Sequence, residues 1–263
     1  MARYIHGDTD PVESDRLEKQ ARFLARWILE GLELGPHTRL LDLACGTGAM
    51  ARRLRAQLPD VKLLGCDLSL KQLKEAKRSS GGDLPLASAD AALLPFRDQA
   101  FDGVHCSWLL EHVPPPRVPR VLREVRRVLR PSCLAWFCEV ENDSLFLWPR
   151  LPLVEESFRE VWRAQAEGGG DPIIGRKMHG LCAEAGFRRV EVLPTTLHVH
   201  GGSPPGYYRA SLQEFCEILQ SAEASLPARL RSQVGNACEQ LMGLHDTPGS
   251  SFTYSFFRVR AER

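Results

Sequence analysis

The sequence lacks several features that would place a protein in a special class at once. No segment approaches about 18 consecutive apolar residues, and the opening stretch MARYIHGDTD has no apolar signal-peptide region. Lysine plus arginine number 34 and aspartate plus glutamate 33, a net charge of +1. We therefore expect a soluble cytoplasmic protein without the basic surface that nucleic acid or an anionic membrane requires.

Cysteine occurs eight times, but in no metal-binding pattern. The cysteines form no C-x-x-C pair and no cysteine–histidine ligand spacing, so we predict no metal site. Several of them lie in apolar runs, as buried reduced thiols do. His198 and His200, in LHVH, face the same side of a strand, but without a third ligand they are interpreted as structural residues.

Helix and strand periods alternate along the chain. Asp10, Pro11 and Glu13 form the start signal of a first helix, and Gly35-Pro36 marks its end. From residue 39 onward short strands alternate with helices, which predicts a mostly parallel sheet with helices on both faces. The predicted strands are 39–43, 61–66, 84–89, 101–107, 133–140, 187–193 and 251–259.

The length of 263 residues suits one large domain. Residues 142–170 and 201–250 interrupt the regular alternation and are rich in apolar and aromatic side chains. We predict a single domain, residues 1–263, with these parts: an N-terminal cap helix (1–36), a cofactor-binding core (37–140), and lid or acceptor-pocket insertions (141–170 and 201–250).

The stretch RLLDLACGTGAM, residues 39–50, joins the first strand to a helix. With Ala51 it has the form G-x-G-x-x-A, through Gly46 and Gly48. Glycines at such a junction let the backbone approach a ligand closely. Asp67 ends the second strand, where a carboxylate can accept both hydroxyls of a ribose. These residues alone suit either NAD or S-adenosylmethionine.

Three further features separate these two cofactors. Asp42 lies four residues before Gly46, and its carboxylate would repel a pyrophosphate. We interpret Asp42 as an acid that orders the loop backbone, a role compatible with binding an ammonium group. Asp90 follows the third strand and can accept the exocyclic amine of adenine. No dehydrogenase-type Tyr-x-x-x-Lys is present, so a dinucleotide oxidoreductase is the remote alternative.

From residue 40 to residue 140 the chain resembles a class I S-adenosylmethionine-dependent methyltransferase of the ubiquinone/menaquinone methyltransferase-like (type 11) group. The motifs that carry the resemblance are DLACGTG, the acid Asp67, ASADAALLPF and FDGVHCSWLLEHV, in that order. RYIHG, GGDPIIGR and FTYSFF resemble a subgroup of natural-product methyltransferases. The resemblance implies a Rossmann-like, doubly wound, mostly parallel seven-stranded α/β sheet with helical lid insertions.

The resemblance also implies S-adenosyl-L-methionine as cofactor and S-adenosyl-L-homocysteine as product. The cofactor-binding positions that it implies are Asp42, Ala44, Cys45, Gly46, Thr47, Gly48, Asp67, Leu68, Gln72, Asp90, Ala91, Ser107 and Trp108. Among them Asp67 would take the ribose hydroxyls, Asp90 the adenine amine, and Trp108 would lie beneath the sulfonium. Ala44 stands where the family has its first loop glycine, and Gln72 where a methionine is usual.

The acceptor side is less defined, because methyl transfer needs alignment and proton removal but no fixed triad. Our candidate catalytic residues are His112 after the fourth strand, Tyr4 near the start and Glu141 after the fifth strand. His112 could instead be a histidine satisfied by backbone groups. Arg176 is either a clamp for an acceptor carboxylate or an ordinary surface arginine.

We predict methyl transfer to a small apolar or aromatic molecule, such as a natural product or quinone, by a monomer or homodimer. The alternatives are an RNA or protein methyltransferase, and a non-catalytic regulator or scaffold that binds S-adenosylmethionine. The arginines in RVPRVLREVRRVLRP are interpreted as a solvent-exposed helix face. The nearly neutral charge and the missing [DN]-P-P-aromatic signature argue against a nucleic acid substrate.

Overall fold

A computed structural model describes the backbone of residues 11–263 and the side chains from residue 14 onward. The strands of the described residues are β1 (Arg39–Leu43), β2 (Lys62–Asp67), β3 (Leu86–Ser88), β4 (Phe101–Ser107), β5 (Leu129–Trp148), β6 (Arg188–His200) and β7 (Ser251–Glu262). The α-helices of the same part of the chain are α1 (Pro11–Ile28), α2 (Ala49–Gln57), α3 (Leu70–Ser79), α4 (Val118–Val128), α5 (Pro152–Glu167), α6 (Met178–Glu184), α7 (Tyr207–Ser221), α8 (Ala228–Arg231) and α9 (Val234–Gly243).

The strands form one seven-stranded sheet of order β3-β2-β1-β4-β5-β7-β6. β1 to β5 pair in parallel, while β7 runs antiparallel to both of its neighbours, β5 and β6. The strand order reverses between β1 and β4, and open α/β sheets bind ligands beyond the carboxyl ends of the strands at such a point. The predicted doubly wound, mostly parallel seven-stranded sheet is confirmed.

Helices cover both faces of this sheet. On one face, α4 packs through apolar residues at helical spacing, among them Val121, Leu122 and Val125, all at most 1% exposed. On the other face, α1 and α2 contribute Ala21 and Leu54 to a separate buried cluster. The sheet is therefore buried on both sides, as parallel sheets generally are.

The last three strands are longer than the sequence indicates. β5 continues past Val140 to Trp148, and β6 continues past Leu193 to His200, because both pair with β7 along its whole length. A register irregularity between Glu141 and Phe146 lets β5 continue through the polar stretch that resembles a loop. Long-range pairing thus overrides the local signals at these positions.

The extended ends of β5, β6 and β7 carry a helical cap, made of α5, α7, α8 and α9. Leu147, Leu197 and Phe252 of the strands are buried together with apolar residues of the cap helices, such as Phe158 of α5 and Leu212 of α7. The first predicted insertion therefore begins as strand rather than as a lid. Both inserted segments share one hydrophobic cluster, which joins them to the sheet.

Two arginines of α4, Arg120 and Arg123, are exposed to solvent as predicted, but the arginines of this helix also contact the protein. The guanidinium of Arg127 donates to the carbonyl oxygens of Leu94 and Phe96, and it pairs with Asp98 at 2.8 Å. Arg120 donates to the carbonyl of Ala92 at 2.8 Å. Much of this arginine stripe therefore fastens the segment between β3 and β4 to the helix. Among the helices of residues 11–263, none is both long and apolar enough to cross a membrane.

We predict that the cap cluster contributes strongly to stability. Phe252→Ala removes a fully buried ring and should lower the free energy of unfolding by about 3–5 kcal/mol. Phe146→Ala is the matched control, because this ring lies on the same part of the sheet but is 64% exposed; its effect should stay within about 0.5 kcal/mol. Urea unfolding of both variants measures the difference, and equal effects would contradict a shared cap core.

Candidate functional site

The loop between β1 and α2 turns sharply at the carboxyl edge of the sheet. Ala44, Gly46 and Gly48 have φ angles of 59°, 53° and 74°, all in the left-handed region. At Gly46 a Cβ atom would also lie 2.7 Å from Oε1 of Gln72, so a larger residue would displace that side chain. Ala44 adopts a conformation that glycine reaches at lower energy, which explains why glycine suits this position.

Asp67, at the end of β2, holds this loop in place. Its Oδ2 accepts the N–H of Gly46 at 2.9 Å, and its Oδ1 accepts the N–H of Ser69 at 2.8 Å. Ser69 in turn caps α3 by accepting the N–H of Gln72 at 3.3 Å. Burial raises the pKa of Asp67, and the hydrogen bonds from Ser69 and Gly46 offset that rise in part. One carboxylate thus joins the glycine loop to the start of α3.

Asp42 has a different role from the one predicted. Its Oδ1 lies 2.7 Å from Nδ1 of His105 on β4, and both side chains are buried. Neither Asp42 Oδ2 nor His105 Nε2 has a hydrogen-bond partner among the described residues. The structure corrects the prediction that Asp42 orders the loop backbone: Asp67 does so, and Asp42 links β1 to β4.

Two adjacent cavities open at the carboxyl ends of β1, β2 and β4. The larger has a volume of about 1020 Å³ and lies between the glycine loop, α1 and the cap helices α5 and α7. The smaller, of about 180 Å³, lies between β2 and the segment after β4. Asp67, Leu68 and Ala44 line both cavities. The carboxylate that fixes the loop therefore stands at the boundary of two compartments.

The cavities gather most of the implied cofactor positions. Those that line the larger cavity are Ala44, Cys45, Thr47, Asp67, Leu68, Gln72, Ser107 and Trp108. Asp90 and Ala91 line the smaller cavity. Gly46 and Gly48 shape the loop without lining either space, and Asp42 lies behind it.

The smaller cavity combines apolar walls with two carboxylates. Besides Asp67, which it shares with the larger cavity, it is lined by Asp90 and by apolar residues such as Leu68. Asp90 Oδ1 accepts the N–H of Ala92 at 2.9 Å, and Oδ2 accepts from Arg117 at 2.6 Å. Burial alone would raise the pKa of Asp90, but these two hydrogen bonds lower it and the net shift is downward. An ionised carboxylate oxygen retains capacity for a further donor.

Trp108 occupies an unusual backbone conformation next to the larger cavity. Its φ is 50°, which is rare for a bulky residue, and its N–H donates to the carbonyl of Cys138 at 2.8 Å. The indole packs edge-on against Phe256, with 6.5 Å between ring centroids. The turn after β4 thereby directs an aromatic ring to the wall of the cavity, where Ser107 is its neighbour.

Two buried glutamates lie at the turn after β4, and one of them lines the larger cavity. Glu139 of β5 is fully buried and accepts the N–H groups of Leu109, Leu110 and Glu111 at 2.9–3.3 Å. Burial, together with the nearby charge of Glu111, raises the pKa of Glu139 to about 8. Glu111 lines the cavity, and its Oε2 accepts Nε2 of Gln165 at 2.7 Å.

The three candidate catalytic residues have separate locations. His112 lines both cavities, and its Nε2 lies 3.7 Å from Oε1 of Glu111. Glu141 is buried in an ion pair with Arg176, which also contacts Asp143, and it lines neither cavity. Tyr4, like His6, lies outside the described residues. Of the described candidates, His112 alone faces the cavities.

Several polar residues of the larger cavity were not singled out from the sequence. Glu111 was next to a chosen residue in LEHV, while Gln165 and Asn142 belong to a segment interpreted as a lid. Tyr254 of β7 donates its hydroxyl to Oδ1 of Asn142 at 2.7 Å. The one signal available was the polarity of these residues within apolar stretches, because their convergence depends on the packing of α5 and β7.

The paired histidines of β6 have protein partners. His198 Nδ1 lies 2.7 Å from Oγ1 of Thr253, and His200 Nδ1 accepts the N–H of Gly202 at 3.0 Å. Among the side chains of residues 14–263 no group of three or more histidine, cysteine, aspartate or glutamate residues could hold a metal ion.

We predict that Glu139 makes stability depend on pH. Its ordinary pKa of 4.5 applies to the unfolded chain, and the folded pKa is about 8. The unfolded state therefore ionises first, and stability falls as the pH rises from about 4.5 through 8. Glu139→Gln should flatten this slope in urea unfolding, whereas Glu184→Gln at an exposed site should keep it. A wild-type slope in Glu139→Gln would contradict the shift.

Comparison with known proteins adds sequence relatives to this geometry. A family described as "Methyltransferase domain" matches residues 40–132. An O-methyltransferase from Aspergillus nomiae is 30% identical over 200 residues, which cover 73% of this chain and 83% of that protein. A demethylmenaquinone methyltransferase from Symbiobacterium thermophilum is 37% identical over 103 residues, covering 37% of this chain and 40% of that protein.

The extent of the similarity differs among relatives. The chain spans about half, or less, of the length of the first curated relatives that it matches. A solved S-adenosylmethionine-dependent methyltransferase from Methanosarcina mazei superposes with a TM-score of 0.57, covering 90% of this chain and 97% of that one. At 15% identity this likeness shows the fold alone. The fold agrees with the Aspergillus relative and the matched domain. Together they show that the chain belongs to the class I S-adenosylmethionine-dependent methyltransferases of the type 11 group.

Proposed function

We propose that this protein transfers the methyl group of S-adenosylmethionine to a small apolar or aromatic molecule. The observation that carries the proposal is Asp67, which fixes the glycine loop and borders two cavities of different chemistry. One cavity suits a flat heterocycle with an amine, and the other suits the reacting groups. The names of the methyltransferase relatives support the same reaction class.

The residues of the smaller cavity fit the adenine of this cofactor. Leu68 and Val113 give apolar contact to a ring, and Asp90 can accept its exocyclic amine. In this proposal Asp67, at the boundary of the two cavities, accepts the ribose hydroxyls. Gly46 adds no side chain of its own at the left-handed turn, where the side chain of Gln72 packs against the loop. When bound, S-adenosylmethionine supplies a methyl group that is already activated by its sulfonium.

The larger cavity offers more space than the methionine part of the cofactor needs. Its volume of about 1020 Å³ is at the upper end of the usual range for ligand sites. Beyond Trp108 its walls are aromatic and apolar, with Phe23 of α1, Trp162 of α5, and Phe215 and Ile218 of α7. These walls support an acceptor with substantial apolar surface, held against the cofactor by the cap.

The chain's own residues would align the two reactants and exclude water. α1 lies across the cavity and contacts α7 through Arg16 and Glu214 at 2.6 Å, and through Lys19 and Glu217 at 3.2 Å. Alignment of two reactants can lower a barrier by roughly 7–11 kcal/mol, and in this proposal the covered cavity supplies that alignment. His112 and Tyr4 remain proposed acceptor-side residues, as does Glu141, whose ion pair with Arg176 would have to open.

A macromolecular acceptor receives less support. The net charge of +1 provides no excess of cations for RNA, and the covered cavity favours a ligand that can be enclosed. A protein that binds the cofactor without catalysis is separated from an enzyme by turnover. Incubation with S-adenosylmethionine and a pool of small acceptors should release S-adenosylhomocysteine; binding without release would support the regulator, and preferential binding of NAD would contradict both.

We predict that Asp90 accepts a hydrogen bond from the exocyclic amine of adenine. Wild type should bind S-adenosylhomocysteine about 10- to 100-fold more tightly than S-inosylhomocysteine, in which a carbonyl replaces the amine. Asp90→Ala should weaken the binding of S-adenosylhomocysteine and remove most of its preference over S-inosylhomocysteine. Asp98→Ala, at a side chain that is 70% exposed, is the control and should behave as wild type in calorimetric titrations. An unchanged preference in Asp90→Ala would contradict the adenine assignment.

We predict that filling the cap side of the cavity separates cofactor binding from turnover. Ile218→Trp adds bulk where α7 faces the cavity, away from the glycine loop. The affinity for S-adenosylhomocysteine should change by less than about threefold, while turnover of an acceptor from the pool should fall by at least about tenfold. Gln213→Trp, on the exposed face of α7, should keep both properties. Equal loss of binding and turnover in Ile218→Trp would argue against an acceptor pocket there.

A further inference from the structure

We propose that Glu111 is the group that accepts the acceptor's proton, and that the acceptor is a neutral aromatic molecule with a hydroxyl group. This inference rests on the proposed function and deepens it, because it names the chemistry of the substrate. It does not involve the cofactor positions that the resemblance implies. It is carried by the polar end of the larger cavity, where Glu111 and Gln165 meet.

Among the described residues, no lysine or arginine side chain forms an ion pair with Glu111. It lies in the short 3-10 helix Leu110–His112 directly after β4, and it is 8% exposed. Its Oε2 accepts the amide of Gln165 at 2.7 Å. Its neighbour in charge is His112, at 3.7 Å. A buried carboxylate of this kind gains from a hydrogen-bond donor supplied by a ligand.

Three titratable groups packed around Glu111, on β5 and β7, are kept neutral by burial. Glu139 of β5 has its pKa raised to about 8 by burial and by Glu111, so it holds a proton at neutral pH. Burial raises the pKa of Tyr254 of β7 and of Cys138 of β5, and the charge of Glu111 raises both further. Both groups are therefore neutral. His112 faces it from the same short helix.

The polar atoms around Glu111 favour a ligand group that donates a hydrogen bond over one that accepts a hydrogen bond. The Gln165 side chain is 3% exposed, and its Oε1 has no hydrogen-bond partner among the described residues. The hydroxyl of Tyr254 is already donated to Asn142 at 2.7 Å. Hydrogen-bond donors at this end are therefore engaged, while the oxygens of Glu111 and Gln165 are available. A buried acceptor that lacks a donor is costly, and an O–H group of the ligand would satisfy it.

Charge and reactivity narrow the ligand further. A carboxylate or phosphate on the acceptor would be repelled by Glu111. A protonated amine would pair well with it, but its nitrogen has no lone pair to attack a methyl group. A phenolic hydroxyl is neutral, donates to Glu111, and can stack against Trp162 and Phe215 on the cavity wall. It is the donor class that is both bound and reactive.

The step balances in atoms and electrons. The hydroxyl oxygen uses a lone pair to bond to the methyl carbon, and the carbon–sulfur bond breaks with its electron pair remaining on sulfur. The O–H bond breaks, and its proton moves to the carboxylate of Glu111. The products are a methyl ether, a neutral thioether and a protonated Glu111, which then releases the proton to solvent.

The test uses 2-naphthol and 2-naphthoate as probes, which share the ring system and differ in charge. Binding is measured by calorimetry on the full chain saturated with S-adenosylhomocysteine. Wild type should bind 2-naphthol at least about tenfold more tightly than 2-naphthoate. Glu111→Gln keeps the shape but removes the charge, so the difference should shrink to less than about threefold. Glu167→Gln, at a 69% exposed site of α5, should preserve the wild-type difference.

The readout separates a charge-specific role from a structural one. If Glu111 had a purely structural role, Glu111→Gln would weaken the binding of both probes equally, and the ratio of their affinities would stay the same. Gln165→Leu is a second variant that leaves the charge in place, and it should retain the preference for 2-naphthol. An unchanged ratio in Glu111→Gln, equal binding of the two probes by wild type, or no binding of 2-naphthol overturns the inference. Failure of wild type to bind S-adenosylhomocysteine would instead overturn the proposed function.

Discussion

The antiparallel pairing of β7 with both β5 and β6 is the constraint on which the site depends. β7 comes last in the chain and inserts between two strands that precede it. Its central part completes the main sheet through Val259, while its first residues, including Phe252, form the floor of the cap. Tyr254 and Phe256 lie between these parts and line the larger cavity. One strand thereby fixes the cap relative to the glycine loop.

The carboxyl groups at the carboxyl edge of the sheet share one chemistry, but their surroundings give them different roles. Asp67 is held by backbone N–H groups and orders the loop. Asp90 is kept ionised by Ala92 and Arg117, whereas Glu139 is buried and holds a proton at neutral pH. Glu111 lines the larger cavity, and its close partner is the amide of Gln165. Its position rather than its residue type makes it the proposed proton acceptor.

The cofactor half of the site was accessible from the sequence because its signals are local. The short apolar run of β1, the glycine loop and the acid that ends β2 lie close together in the chain, and parallel strands bring their carboxyl ends to one edge. Asp42 was the exception. Its pairing with His105 depends on the register between β1 and β4, which no local pattern reveals.

The cap and the acceptor side could not be predicted in the same way. The polar stretch at Asn142 and the proline at position 194 look like strand breakers. Yet β5 resumes its pairing with β7 at Phe146, and Pro194 pairs with β7 directly. Pro194 is tolerated because β6 is an edge strand. The grouping of Glu111 with Gln165 joins residues 54 positions apart in the chain, and the packing of α5 over the β4 turn creates it.

The sequence by itself determined the doubly wound core, the cofactor class and the positions of Asp67 and Asp90, because strand–helix periods and short motifs encode them within a few residues. Tertiary structure alone decided which carboxylates are paired, which are protonated and which line the larger cavity. Ionisation depends on burial and on neighbours brought together by long-range strand pairing. These quantities exist only once the chain has folded.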